Sequence, residues 1–326
     1  MMYILKEIPE DFIVKEVPKT FREGPYLIFK LIKREYNTVS AINLIANYLR
    51  TSSRQIGFAG NKDKFPITEQ YISIQGFSKE RVLSFKNKDI QLEYICTSSR
   101  PISLGFLEGN SFEVRLKNCV KEPKNISKFL NYFGEQRFSK NNADIGFALI
   151  KKDFKKVVDL LLDSGVSIDS EMYSKNDFVG ILQKIPSKNI SLFISAFQSF
   201  LWNKTVDDLI KSKSFNFSKI NISNQELVYS DVSLEKNEMP LVGFETEIEN
   251  SPYSDLIYEV LKSESVNQRD FIIPQLGHLS AAGNFRKIFI DVSDLTIIKE
   301  DPSTFLLKFT LPKGCYATVF IRHLFL

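Results

Sequence analysis

One segment of the 326-residue chain combines residue types that suit catalysis by a single carboxylate. In residues 58–64 (FAGNKDK), a predicted strand ends at small residues, and Asp63 follows with a lysine on each side. Neighbouring lysines favour the ionised carboxylate and can also attract phosphate groups. A solvated surface turn is the commoner reason for such a composition, so both explanations stay open. The glycine spacing of a dinucleotide-binding or Walker loop is absent, which argues against phosphate binding by those two routes.

A second segment, residues 109–112 (GNSF), places an amide and an aromatic ring at the start of a predicted strand. Asn110 can read a base edge, and Phe112 can stack on a base that has left its helix. The alternation of residues 111–117 (SFEVRLK) gives a competing interpretation, because it assigns Phe112 to the apolar face of a half-exposed strand. From periodicity alone, a core position for this ring is favoured.

A third segment, residues 131–138 (NYFGEQRF), interleaves aromatic rings with Arg137 and follows a helix predicted over residues 126–133. Rings alternating with a guanidinium suit a groove that follows a nucleic-acid strand. Capping of the preceding helix by Gly134 is the plainer explanation, and the two are compatible.

Several other kinds of site are excluded or disfavoured. The chain has only two histidines and no C-x-x-C, which argues against zinc, and we expect no metal site. Three cysteines far apart do not form a disulfide framework and indicate a reducing compartment, so we expect a cytoplasmic protein. No run of 18 apolar residues occurs and the start has no apolar signal region, so neither a membrane span nor a signal peptide is expected.

The elements that must position these segments follow an α+β order, then a mainly helical stretch, then strands again. A capped helix is predicted after Asn37, and residues 26–34 are apolar on both faces as in a central strand. This order indicates one sheet domain built from both chain ends, with a mainly helical insertion. The remaining predicted strands cover residues 11–16, 55–59, 71–75, 111–117, 287–290 and 304–311, and the remaining helices cover 126–133, 143–154, 157–162 and 192–210.

Charge is distributed unevenly along the chain. Residues 204–265 carry 6 Lys and 12 Asp or Glu, a net charge of −6 against +4 for the whole chain, which leaves +10 for the remainder. A basic body suits a polyanionic partner, although an excess of lysine can also simply solvate the surface.

Taken together, these segments resemble the TruD-type tRNA pseudouridine synthases over nearly the whole chain. The order and spacing of the motifs carry the resemblance, rather than any one of them. Phe65 and Pro66 depart from it, because they stand where the family usually has a small or basic pair, and Asn61 replaces a commonly larger residue. The matching residues are Lys6, 9–12 (PEDF), 37–38 (NT), 58–64 (FAGNKDK), 68–70 (TEQ), 109–112 (GNSF), 131–138 (NYFGEQRF), 311–314 (LPKG), 316–318 (YAT) and Arg322.

The resemblance implies a V-shaped α+β enzyme with a mixed or antiparallel sheet. Residues 1–138 and 281–326 would form the pseudouridine-synthase catalytic domain, and residues 139–280 the inserted, mainly α TRUD domain. The implied activity is isomerisation of uridine to pseudouridine in tRNA, at position 13 of the D arm. This reaction is neither a redox step nor a hydrolysis, so we expect no cofactor and no metal. We expect a monomer with tRNA as its substrate and no membrane partner.

The resemblance also assigns catalytic roles. Asp63 would act on the sugar carbon as nucleophile or as base, two roles that the sequence does not distinguish. Lys6 would keep this carboxylate ionised through a charge-assisted hydrogen bond. The side chain of Lys62 would leave an extended segment on the opposite face, where it is better placed for a phosphate.

Binding roles follow in the same way. Phe112 matches the family position near the flipped target base, and Asn110 matches a neighbour that contacts the base, which overrides the core interpretation of Phe112. Arg137 and Lys140 are expected to contact the RNA backbone on chemical grounds, so binding should weaken as salt rises.

Two other functions stay open at this point. A non-catalytic RNA-binding or RNA-folding protein could use the same basic cleft, although such a protein has no need of Asp63 and Lys6 together. A carboxylate enzyme such as a glycosidase requires a second positioned acid, for which the sequence offers no candidate.

Overall fold

The computed structural model describes residues 3–139, 141–223, 225–292 and 294–326. The chain divides into two compact units. The first contains the described residues within Met1–Ser127, Asp291–Ala317 and Phe325, and the second contains those within Lys128–Ile290, Thr318–Leu324 and Leu326.

The described residues form the following strands and helices. The strands are β1 (Ile4–Leu5), β2 (Phe12–Pro18), β3 (Tyr26–Lys33), β4 (Ile56–Phe58), β5 (Ile67–Ile74), β6 (Ile90–Ser98), β7 (Leu107–Lys117), β8 (Lys128–Leu130), β9 (Ser218–Ile222), β10 (Gln225–Tyr229), β11 (Glu238–Leu241), β12 (Asn284–Lys287), β13 (Phe289–Asp291), β14 (Thr296–Asp301) and β15 (Thr304–Pro312). The helices are α1 (Thr38–Leu49), α2 (Lys79–Leu83), α3 (Glu135–Phe138), α4 (Asn142–Ile150), α5 (Phe154–Asp163), α6 (Ser170–Ser174), α7 (Phe178–Lys184), α8 (Ser187–Lys213), α9 (Ser254–Ser263) and α10 (Ala317–His323).

The first unit is organised around one mixed sheet with the strand order β14-β15-β7-β2-β5-β3-β6. At its margins, β1 pairs with β7 and β4 pairs with β5. β2 runs parallel to β5 and antiparallel to β7, which makes the sheet mixed. Strands from both chain ends lie in it, so the predicted α+β fold and the closure of one sheet by both ends are confirmed.

β3 and α1 form the core beneath the candidate catalytic loop. β3 lies between β5 and β6, as expected for a central strand, and its Phe29 and Leu31 are fully buried. They belong to the same apolar cluster as Ile42 and Ile45 of α1. The predicted cap is also present, because Asn37 accepts a hydrogen bond from the Ser40 amide at 2.8 Å.

β7 shows the alternation that the sequence predicts. Phe112, Val114 and Leu116 are buried, whereas the residues between them are partly exposed. β7 pairs antiparallel with β1, β2 and β15. Its apolar face therefore packs in the core, and its first residues reach the end of the sheet that carries the candidate site.

The second unit is mainly helical and contains three small two-stranded sheets among the described residues: β9 with β10, β11 with β12, and β8 with β13. Its longest helix, α8, buries Trp202, Asn203 and Val206. No helix in the described part of the chain is both long enough and apolar enough to cross a membrane.

The helix predicted over residues 126–133 is wrong. That segment contains β8 followed by residues without regular structure, and Gly134 precedes α3 as its N-cap rather than ending a helix. The backbone amides here find partners outside the segment: the Asn131 amide donates to the Ile288 carbonyl at 2.8 Å, and the Phe133 amide donates to Asn203 Oδ1 at 2.9 Å. Tertiary hydrogen bonds therefore replace the helical ones.

Candidate active site

The loop that carries Asp63 leaves β4 and is fixed by side chains from α1 and β5. Thr38 Oγ1 accepts a hydrogen bond from the Lys62 amide at 2.8 Å and donates one to Gln70 Oε1 at 2.8 Å. Gln70 Nε2 in turn donates to the Gly60 carbonyl at 3.4 Å. Thr38 and Gln70 are fully buried, whereas Asp63 is exposed. The loop thus presents a carboxylate to solvent from a main chain that is bound on its inner side.

A buried lysine, Lys33, contacts the same loop from below. Its side chain lies at the end of β3 and is 1% exposed. Its Nζ donates to the carbonyls of Tyr36 at 2.5 Å, Asp63 at 3.0 Å and Lys62 at 3.5 Å. Burial lowers the pKa of the Lys33 ammonium to about 8, against an opposing effect of the Asp63 charge. Sequence reasoning missed Lys33, although it shares the buried face of β3 with Phe29 and Leu31 by simple alternation.

The charge of Asp63 acts on Lys6, and the charge-assisted hydrogen bond expected between the two side chains stays a prediction. Burial lowers the pKa of the Lys6 ammonium, and the negative charge of Asp63 opposes this by raising it. The Lys6 Nζ stands 4.3 Å from the ring centroid of Phe12, a cation–π contact. Lys6 also has a left-handed backbone with φ of 63°, which directs the chain between β1 and β2.

Lys62 and Asn110 are brought together by a hydrogen bond of 2.7 Å from Lys62 Nζ to Asn110 Oδ1. The same ammonium lies 3.3 Å from a carboxylate oxygen of Glu16, whose side chain is almost wholly buried. The other Glu16 oxygen accepts from the Tyr71 amide at 2.9 Å. These contacts occupy much of the donor capacity of Lys62, and its expected contact with a phosphate stays a prediction.

Phe112 lies two residues beyond Asn110 on β7 and is 7% exposed. Its ring stacks on Phe309 with centroids 5.1 Å apart, and the steeply inclined ring of Phe12 has its centroid 6.1 Å away. The rings of Phe12, Phe112 and Phe309 thus form a continuous row next to Lys6. Core packing, which periodicity favours for Phe112, is present, and its expected contact with a base stays a prediction.

Arg137 belongs to the second unit. It lies in α3, and its guanidinium carbon is 5.5 Å from the ring centroid of Phe133. On the same ring, Arg286 lies at 3.9 Å, and it also donates to the Asn131 carbonyl and side chain at 2.9 and 2.7 Å. The NYFG part of the motif is therefore buried and structural. Lys140 lies outside the described residues.

The described residues contain no cluster of three or more His, Cys, Asp and Glu side chains that is arranged to hold a metal ion. The three cysteines are free thiols. In the first unit, the site therefore consists of one exposed carboxylate on a fixed loop, a nearby ammonium, a buried ammonium behind the loop and an amide beside an aromatic row. A carboxylate in this setting can act as a nucleophile or a base toward an electrophilic carbon of a bound anionic substrate.

Comparisons with known proteins give a consistent result. The family described as tRNA pseudouridine synthase D (TruD) matches residues 2–174 and 167–324. A protein of Aquifex aeolicus named tRNA pseudouridine synthase D is 28% identical, with 98% of this chain and 97% of that protein covered. A probable tRNA pseudouridine synthase D of Nanoarchaeum equitans is 30% identical, with 99% and 98% covered.

A solved structure shows the same fold. The crystal structure of a putative tRNA pseudouridine synthase D from Methanosarcina mazei superposes with a TM-score of 0.68 at 23% identity, covering 98% of this chain and 92% of that one. At this identity the likeness is evidence for the fold.

Proposed function

The chain belongs to the family of tRNA pseudouridine synthase D (TruD), and we propose that Asp63 is the group through which it converts uridine to pseudouridine at position 13 of the tRNA D arm. The chain is an isomerase that acts on uridine in tRNA. In this reaction the bond between C1′ of the ribose and N1 of the uracil breaks, the base turns, and C1′ joins C5. All atoms of the substrate are retained.

One observation carries the assignment of Asp63. Its carboxylate is exposed, while its own main-chain carbonyl is bound by the buried ammonium of Lys33 at 3.0 Å. A group that must meet the ribose carbon needs access to the RNA and a fixed position, and this loop supplies both. As nucleophile, the carboxylate would form a bond to C1′ as N1 departs, and as base it would take a proton from the sugar.

Lys6 supports the ionised state of Asp63 in this proposal. Burial lowers the pKa of Lys6, and the negative charge of Asp63 opposes this by raising it, so Asp63 favours the ammonium form of Lys6. Lys6 also contacts the ring of Phe12, which restricts where its ammonium can lie.

Asn110 and Phe112 would receive the flipped base. Flipping costs a few kcal/mol, which stacking and hydrogen bonds to the base must offset. The hydrogen bond from Lys62 fixes the Asn110 oxygen, so the amide nitrogen is the end left to face a base. Arg137 would contact the RNA backbone. Residues 139–280 would form the inserted TRUD domain; this range lies within the second unit, which also takes in 128–138, 281–290, Thr318–Leu324 and Leu326. The protein would act as a monomer in the cytoplasm.

The test is Asp63→Asn with pseudouridine mapping on tRNA. We expect no detectable product at position 13, with tRNA binding and the thermal unfolding midpoint close to wild type. Asp89→Asn is the matched control, because Asp89 is a partly exposed aspartate of the same unit and should leave the rate unchanged. Product formation by folded Asp63→Asn at the wild-type rate would refute the role of Asp63.

A substrate in which uridine 13 is replaced by cytidine tests the position. We expect the wild-type enzyme to form no pseudouridine in that tRNA. Product at another uridine would move the proposed target without affecting the role of Asp63.

If Asp63→Asn restored the phenotype of cells that lack this protein, the biological role would instead be RNA binding or folding.

A further inference from the structure

Lys33 is unusual because a lysine occupies a core position at the end of a central strand. Its side chain is 1% exposed and shares the buried face of β3 with Leu31 and Phe29. Burying an ammonium is costly unless its N–H groups are bonded. A hydrophobic residue would fill this position at a lower cost in free energy. Packing alone therefore does not explain why a charged side chain lies here.

The acceptors of Lys33 are all main-chain carbonyls, and they come from two segments. Tyr36 belongs to the turn that leads into α1, and Lys62 and Asp63 belong to the catalytic loop. Three acceptors match the three N–H groups of an ammonium. The side chain therefore cross-links the loop to the α1 turn, and it does so at the peptide of Asp63 itself, whereas Thr38 and Gln70 bind Lys62 and Gly60.

The charges that face Lys33 come from the loop. Asp63 is the anion that favours its protonated form, and Lys62 is the cation that opposes it. Its cross-strand neighbours are Thr68 on β5 and Ile90 on β6, which carry no charge. The adjacent Arg34 forms a salt bridge with Glu10 at 2.5 Å.

We propose that Lys33 is a positioning residue for the isomerisation: its buried ammonium binds the main chain of the loop and sets where the Asp63 carboxylate meets the ribose. This inference rests on the proposed role of Asp63. Lys33 does not touch the substrate, and it acts through the three carbonyls. Displacing a reacting group by about 1 Å can lower a rate about 100-fold, so loss of this cross-link should appear in the chemical step rather than in RNA binding.

The first experiment compares Lys33→Met with Lys30→Met in single-turnover reactions on tRNA. Lys30 lies on the same strand, is partly exposed and pairs with Glu93 at 2.6 Å, so it is a matched control. We expect Lys33→Met to lower the rate constant at saturating enzyme about 100-fold, with tRNA affinity within about threefold of wild type. A wild-type rate constant for folded Lys33→Met would overturn the proposal, and so would a loss confined to affinity.

The second experiment uses pH, because a purely structural lysine would not link its charge to the rate. Above pH 8 the Lys33 amine becomes neutral and loses one donor and its charge. The wild-type rate constant should fall there, whereas Lys33→Arg, whose cation persists, should keep its rate to higher pH. Identical alkaline limbs in wild type and Lys33→Arg would contradict the proposal, and this comparison stands even if Lys33→Met fails to fold.

The Asp63→Asn variant distinguishes a failure of the positioning role of Lys33 from a failure of the catalytic role of Asp63. If Asp63→Asn is inactive while folded Lys33→Met reacts at the wild-type rate, the positioning role fails and the role of Asp63 stands. If Asp63→Asn is active, the role of Asp63 fails and the positioning role fails with it.

Discussion

At the scale of single residues, Phe112 combines a packing role with a proposed contact to the base. Its ring stacks on Phe309, so replacement by Ala would open a cavity and cost about 3–5 kcal/mol. Leu keeps most of the volume and removes the aromatic face. Phe112→Leu therefore separates the two roles, because it should change stability little while it removes stacking on the base.

We expect Phe112→Leu to lower kcat/KM on tRNA about tenfold, since base–aromatic stacking contributes about 1–3 kcal/mol per base. Its free energy of unfolding should stay within about 1.5 kcal/mol of wild type. Phe309→Leu is the control, because it changes the same stacked pair from the fully buried side. Equal losses of kcat/KM in both variants would show that the row of rings acts through packing alone.

Residue types identified the candidate carboxylate but not what positions it. Asp63 became a candidate because a carboxylate between lysines at a strand end is visible in local sequence, and the family resemblance selected it over a plain surface turn. The role of Lys33 depends on carbonyls of residues distant along the chain, and a carbonyl has no signature in the side-chain sequence. Alternation along β3 places Lys33 on the buried face with Phe29 and Leu31, but only the fold shows which backbone it binds.

At the scale of elements, the N-terminus of α1 has two functions. Asn37 caps the helix, while the adjacent Thr38 turns its hydroxyl toward the candidate catalytic loop and binds both Lys62 and Gln70. The position of the loop is thus tied to the start of a helix whose face packs in the core. Hydrogen bonds thus join Thr38 of the NT motif and Gln70 of the TEQ motif to the segment that carries Asp63.

Thr38→Val tests this connection, because it keeps the shape and removes the hydroxyl. The Lys62 amide and Gln70 Oε1 would each lose a partner in a buried position, which should lower the free energy of unfolding by about 1–3 kcal/mol. Hydrogen exchange at the Lys62 amide should accelerate. Thr38→Ser retains the hydroxyl and should stay close to wild type in both urea unfolding and amide exchange, and equal behaviour of the Val and Ser variants would contradict the connection.

Helices and strands could be predicted where a local sequence signal, such as a cap or an apolar face, agrees with the tertiary environment. α1 has an N-cap and an apolar face at helical spacing, and both are present in the structure. Residues 126–133 have rings at spacings that suit either a helix or a strand, and pairing of β8 with β13 decides the outcome. That pairing joins segments far apart in sequence, so local periodicity does not reveal it.

At the scale of the whole molecule, we expect the stabilities of the two units to depend differently on pH. In the first unit, the folded-state pKa of Lys33 is about 8, below the usual 10.5, so the unfolded chain binds more protons between these values. Stability from this group therefore rises as pH increases from 8 to 10.5, although the proposed positioning of Asp63 weakens. Activity and stability are then expected to diverge at alkaline pH.

In the second unit, we expect His323 to contribute to the loss of stability at acid pH. It is 2% exposed, its Nδ1 donates to the Val319 carbonyl at 2.8 Å, and its ring lies against those of Phe129 and Tyr229. Burial lowers its pKa from 6.5 to about 4. Between these values the unfolded chain binds more protons, so stability falls as the pH falls from 6.5 to 4, by up to about 3 kcal/mol.

Urea unfolding followed by the fluorescence of Trp202 tests this dependence, because the sequence has a single tryptophan and it is buried in the second unit. We expect the wild-type transition to move to lower urea between pH 6.5 and 4.5, and His323→Phe to flatten that dependence because its ring carries no ionisable group. His278→Gln changes the exposed histidine of the same unit and should keep the wild-type slope. An unchanged slope in His323→Phe would assign the acid sensitivity to carboxylates such as Asp270, whose pKa is lowered by its hydrogen bond to Lys151 against the opposing effect of burial.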